Sequence, residues 1–142
     1  MIARRVNQLE VLSCEPKERR HAAPLLFVHG AFAGAWVWDE HFLPWFAAQG
    51  FSAHALSLRG HGGSAGHERI DWYSIHDYVE DVAEVIADLA AAPVLIGHSM
   101  GGFVVQKYLE RHSVPAAVLM CSVPPQGLVA AQFSLLFEKP GL

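Results

Sequence analysis

Three nearly unbroken apolar runs constrain this chain more than any other feature: Leu25–His29 (LLFVH), Pro93–Gly97 (PVLIG) and Ala116–Ser122 (AAVLMCS). A strand with one face in water alternates apolar and polar residues. A run that is apolar throughout fits a strand covered on both faces, the condition of a parallel sheet flanked by helices. Two further β-rich runs, Val6–Ser13 and Phe51–Leu58, extend the set. Helical patterns fall between the runs. The clearest spans Ile75 to Leu89, where Ile75, Tyr78, Val79, Val82, Ile86 and Leu89 keep a 3.6-residue period and the acidic residues fall largely on other faces. Ser74 and Asp77 have the Ser-x-x-Asp form of a capping box and mark its start. A second helix is expected over 40–49, stopped by Gly50, and a third from Met100 to Arg111. This strand–helix order predicts an α/β fold with a mostly parallel sheet.

Size and charge narrow the classes. At 142 residues the chain is one domain or part of one. Its 52% hydrophobic and 17% charged content argues against disorder. A net charge of −4 argues against a nucleic-acid binder, which needs a basic stripe. The two cysteines, Cys14 and Cys121, make no disulfide framework, and Cys121 in its apolar run reads as a small buried residue. No window has the ~20 apolar residues of a membrane span, and the amino terminus lacks a signal-peptide core. A cytoplasmic location is the resulting expectation.

The chemistry concentrates in GHSMGG at 97–102, directly after PVLIG and at the head of the third helix. A G-x-S-x-G match in that strand–turn–helix context is a specific signal. Ser99 is expected on a tight bend, with Gly97 and Gly101 needed because a Cβ at either position would crowd it. His98 should be held by the bend itself. HGAF at 29–32 follows the strand LLFVH. An oxyanion hole needs two converging N–H donors: one from the residue after the nucleophile, here Met100, and one from the loop after an earlier strand. His29-Gly30-Ala31 is placed to supply the second, through Ala31 first and Phe32 second. His29 reads as a brace for that loop. SLRGHGGS at 57–64 follows another strand, and there Arg59 and His61 read as structural.

These three motifs, in this order and each after a strand, resemble the α/β-hydrolase superfamily of serine esterases, lipases and related enzymes. The resemblance runs from about Val6 to Pro125. It implies Ser99 as nucleophile, Ala31 and Met100 as backbone oxyanion donors, no cofactor, and an ester-like or lipidic small-molecule substrate. A serine at this bend argues against the dehalogenase and epoxide-hydrolase branches, which use a carboxylate there. Ser57 stands where many relatives have Asp, with little consequence expected.

A serine nucleophile needs a base oriented by a third group. The family's acid and histidine follow its seventh and eighth strands, and neither is expected in this chain. His112 lies thirteen positions along the third helix, so roughly 20 Å from Ser99. The remaining histidines show no zinc spacing, and no metal site is expected. Residues 1–125 are read as the amino-terminal part of the hydrolase core, truncated after about strand six, and 126–142 as the start of a helical cap. The chain alone is then expected to be inactive. The alternative is a non-catalytic half-domain that pairs with itself or another chain through the bare edge Ala116–Ser122. The aromatic residues Phe32, Trp36, Trp38, Phe42, Trp45 and Phe46 are candidates for either core or an acyl pocket.

Overall fold

The computed structural model describes residues 1–127, and all that follows concerns these. Six strands form one sheet: β1 (Ile2–Val6), β2 (Leu9–Cys14), β3 (Leu25–Val28), β4 (Ala53–Leu56), β5 (Val94–His98) and β6 (Ala117–Met120). Their order is β1-β2-β4-β3-β5-β6. β4, β3, β5 and β6 run parallel, while β1 and β2 add an antiparallel hairpin at one edge. Three helices, α1 (Phe42–Ala48), α2 (Ile75–Asp88) and α3 (Met100–Leu109), cover the faces, with 3₁₀ turns at Ala35–Trp38 and His67–Trp72. The expected α/β architecture with a mostly parallel sheet is present.

Alternate residues of the central strands feed two cores. Leu26, Val28, Leu56 and Leu95 point to one face and pack with Tyr78, Val82 and Val85 of α2 and Val104 and Val105 of α3. Leu25, Phe27, Ala53, Ala55 and Ile96 point to the other, against Trp38 and Leu43. Both faces are dry, so the strands carry no polar alternation. Each fully buried large aliphatic side chain contributes about 1.5–3 kcal/mol.

Several element boundaries differ from expectation for local reasons. The run Val6–Ser13 is not one strand but the meeting of two. Asn7 adopts φ +50° and turns the chain between Val6 and Leu9, which pair across the hairpin. Asn tolerates this left-handed conformation better than most residues. α1 begins at Phe42 rather than Glu40. That start leaves Pro44 in the first turn, where its missing N–H costs no helical bond. Gly50 follows at φ +94° and ends the element. α2 has the expected capping box, with Ser74 accepting from the Asp77 N–H and Asp77 accepting from the Ser74 N–H.

Cys121 is exposed, at φ +45°, in contrast to the buried position expected of it. It lies just past β6, where the chain bends out of the sheet. β6 is the edge of the described sheet, and Val118 and Leu119 are about half exposed there. Among the described residues no helix is long and apolar enough to cross a membrane. The apolar stretch beginning at Leu128, read above as the start of a cap, lies outside the described residues.

Candidate active site

Ser99 joins β5 to α3 with φ +53° and ψ −116°, a conformation that non-glycine residues rarely hold. Its neighbours fix it. The Ser99 N–H donates to the Met120 carbonyl at 3.0 Å, and the Ser99 carbonyl accepts from Phe103 at 3.2 Å and Val123 at 3.1 Å. A Cβ at position 97 would sit 2.6 Å from the Gly101 carbonyl oxygen. One at position 101 would run into the carbonyl oxygens of Val28 and His29. β3, β5 and the start of α3 therefore meet at van der Waals distance. Met100 is the first residue of α3, so its N–H has no acceptor within the helix, and the positive end of the helix dipole lies there.

The loop after β3 faces this bend. His29 is fully buried. Its Nε2 accepts the Leu58 N–H at 3.0 Å, which places the ring proton on Nδ1, and Nδ1 donates to the Gly30 carbonyl at 2.6 Å. Burial lowers its pKa to about 4, so the ring is neutral near pH 7. A Cβ on Gly30 would lie 3.2 Å from both His98 Nδ1 and Ser99 Cβ. Gly30 thus brings the backbone of the 29–32 loop against the serine. Ala31 is exposed beside it, and Phe32, at φ +59°, is 94% exposed.

A cavity of about 380 Å³ opens here. Ser99, His98, Gly30 and Ala31 line it together with Ala33, Val37, Trp38, Phe42 and Met120. Among the described residues that line it there is no carboxylate, ammonium or guanidinium group. Of the six aromatic candidates, Trp38 and Phe42 line this cavity. Phe46 packs on Phe27 in the core, while Trp36 and Trp45 are 59% exposed. Nothing in the local sequence marks Val37 or Met120. Met120 belongs to the last described strand, and only the β5–β6 pairing brings it to Ser99.

The other candidates sit elsewhere. Arg59 forms ion pairs with Asp81 at 2.7 Å, Asp77 at 3.3 Å and Glu80 at 3.5 Å, tying the loop after β4 to α2. Despite partial desolvation, those carboxylates hold its pKa above the ordinary value. His61 Nδ1 lies 3.0 Å from the Arg59 carbonyl and its ring is buried beside His29. His112 stacks on Tyr108 beyond the far end of α3. Among the described residues the Ser99 side chain caps no helical N–H, its hydrogen bonds being those of its backbone, and no three His, Cys, Asp or Glu cluster to hold a metal ion.

A parallel sheet with a glycine-pinched serine at the carboxyl end of β5 defines a hydrolase-type α/β protein. The chain belongs to the alpha/beta hydrolase family, whose model matches residues 25–142. It is 37% identical over 108 residues to a non-heme haloperoxidase of Rhodococcus erythropolis, covering 72% of this chain and 38% of that protein. It is 29% identical over 137 residues to epoxide hydrolase A of Mycobacterium tuberculosis, covering 85% of this chain and 42% of the relative. The thioesterase domain of the curacin biosynthetic pathway superimposes with a TM-score of 0.70 at 25% identity, covering 92% of this chain and 48% of the domain. The chain therefore spans about two fifths of the length of these curated relatives.

Proposed function

We propose that this chain carries the nucleophile and oxyanion site of a serine hydrolase acting on an uncharged, ester-like acyl substrate. Ser99 attacks the carbonyl carbon. The N–H groups of Met100 and Ala31 receive the oxyanion, and water later releases the acyl group. His29, Gly30, Gly97, His98 and Gly101 hold this geometry without touching the reacting atoms. The observation that carries the reading is Ser99 itself. A strained, non-glycine residue stands at a helix amino terminus, in the wall of a cavity it shares with Gly30 and Ala31. Strain of this kind costs about 1–3 kcal/mol and persists where the surroundings enforce it. The wall residues favour an apolar acyl group, since Val37, Trp38, Phe42 and Met120 are uncharged and present mostly carbon surface.

No described side chain bonds to the Ser99 hydroxyl, so no base is assigned among the described residues. Oxyanion donors and binding alone sustain about 10³–10⁴-fold acceleration over water in triad-deficient hydrolases. A fluorophosphonate probe bearing an alkyl chain should therefore label Ser99 slowly but selectively in the folded chain, read by peptide mass spectrometry. Ser99→Ala should remove that label. A folded preparation in which the probe spreads over other serines, or labels none, refutes the assignment.

A further inference from the structure

We infer that Glu10, on β2 and outside every motif, is a positioning residue for the wall of this cavity; the inference rests on the reading of the cavity as a substrate site. The link runs through Ser57. The Ala35 N–H donates to Ser57 Oγ at 2.8 Å. A hydroxyl has one proton to give, and Ser57 gives it to Glu10 Oε2 at 2.6 Å. The same carboxylate oxygen accepts the Gly63 N–H at 2.8 Å. Backbone bonds lock the frame: Ser57 N–H to the Glu10 carbonyl at 2.9 Å, and Glu10 N–H to Ser64 Oγ at 2.8 Å.

Ala35 opens the 3₁₀ turn that carries Val37 and Trp38 into the cavity. Ser57 is fully buried, so the Ala35 N–H has no water to replace a lost partner. Added Cβ atoms at Gly62 and Gly63 would collide with Ser57 Oγ and the Glu10 carboxylate respectively. One at Gly34 would lie 2.9 Å from the Gly62 Cα. The loops after β3 and β4 therefore close on each other around a single carboxylate, reached from a strand 47 residues upstream. Charge on the acceptor strengthens each bond it receives. Ser57 is too short to hold both loops alone; Glu10 supplies the carboxylate that ties them.

The test uses amide hydrogen exchange and ligand affinity on the full chain. Glu10→Ala should speed exchange at Ala35 and Gly63 at least tenfold while Leu95 and Ile96 in β5 stay protected. Glu10→Gln, whose side-chain oxygen still accepts both bonds, should restore most of that protection. In a Ser99→Ala background, affinity for ethyl octanoate should fall about tenfold with Glu10→Ala and stay within twofold with Glu10→Gln. Glu10→Met, which keeps the length of the side chain but offers no oxygen, should speed exchange at Ala35 and Gly63 as Glu10→Ala does. That variant decides the matter if Glu10→Ala does not fold. Unchanged exchange at Ala35 in Glu10→Ala or in Glu10→Met overturns the role of Glu10. Loss of ester binding by the Ser99→Ala protein itself would instead overturn the substrate reading, with the exchange data still judging Glu10.

Discussion

Acid should weaken this fold through His29, and the size of the effect follows from its burial. The ring is fully enclosed, bridges the Leu58 N–H and the Gly30 carbonyl, and has a pKa near 4 instead of 6.5. The unfolded chain binds a proton at 6.5 that the folded chain refuses until about 4. Stability is therefore fully present above pH 6.5 and drains away as pH falls toward 4. One pKa unit is worth 1.36 kcal/mol, so the loss is about 2 kcal/mol by pH 5 and about 3 kcal/mol by pH 4. His54, also buried and also lowered by desolvation, adds in the same direction.

The assay is urea unfolding followed by circular dichroism at pH 7, 6, 5 and 4, on the native chain and on His29→Gln. The glutamine offers an oxygen to Leu58 and an amide to Gly30, but no titrating group. At pH 7 the variant should be less stable by about 1–3 kcal/mol, from imperfect pairing of buried groups. That gap should close as pH falls, because only the native chain pays the protonation cost at this position. His54 and the carboxylates act equally on both proteins and cancel in the difference. Parallel stability curves across the pH range would refute the assignment of a low pKa to a buried, neutral His29.

Two substitutions probe the bend at residue 99. Ser99→Gly should stabilise the chain by about 1 kcal/mol in denaturant unfolding, because glycine accepts φ +53° without strain, while removing fluorophosphonate labelling. Gly101→Ala should destabilise by 3 kcal/mol or more on the order expected for overpacking between rigid backbones, since the new methyl meets the Val28 and His29 carbonyls; a melting temperature within a degree of the native chain would contradict the close approach of α3 to β3.

What could be read from the sequence was what local chemistry dictates. LLFVH and PVLIG announce strands covered on both faces, and the structure seats Leu26 and Leu25 in opposite cores. GHSMGG fixes its own bend, because glycine, serine and the start of a helix are adjacent in the chain. β1 was hidden for the opposite reason. Arg4 and Arg5 lie on an edge, where solvent removes the apolar signature, and only the tolerance of Asn7 for a positive φ marks the turn. The cavity walls were equally illegible. Trp36 and Trp38 stand two positions apart in one short turn, yet one is 59% exposed and the other 3%. No local pattern tells them apart; contact with Phe27 on β3 does. Glu10 is the extreme case. Its partners Ser57 and Gly63 are remote in sequence and come together only once β2 lies beside β4. The serine turn is thus written in six consecutive residues, whereas the cavity beside it is assembled from the loop after β3, the 35–42 segment, the β5 bend and β6.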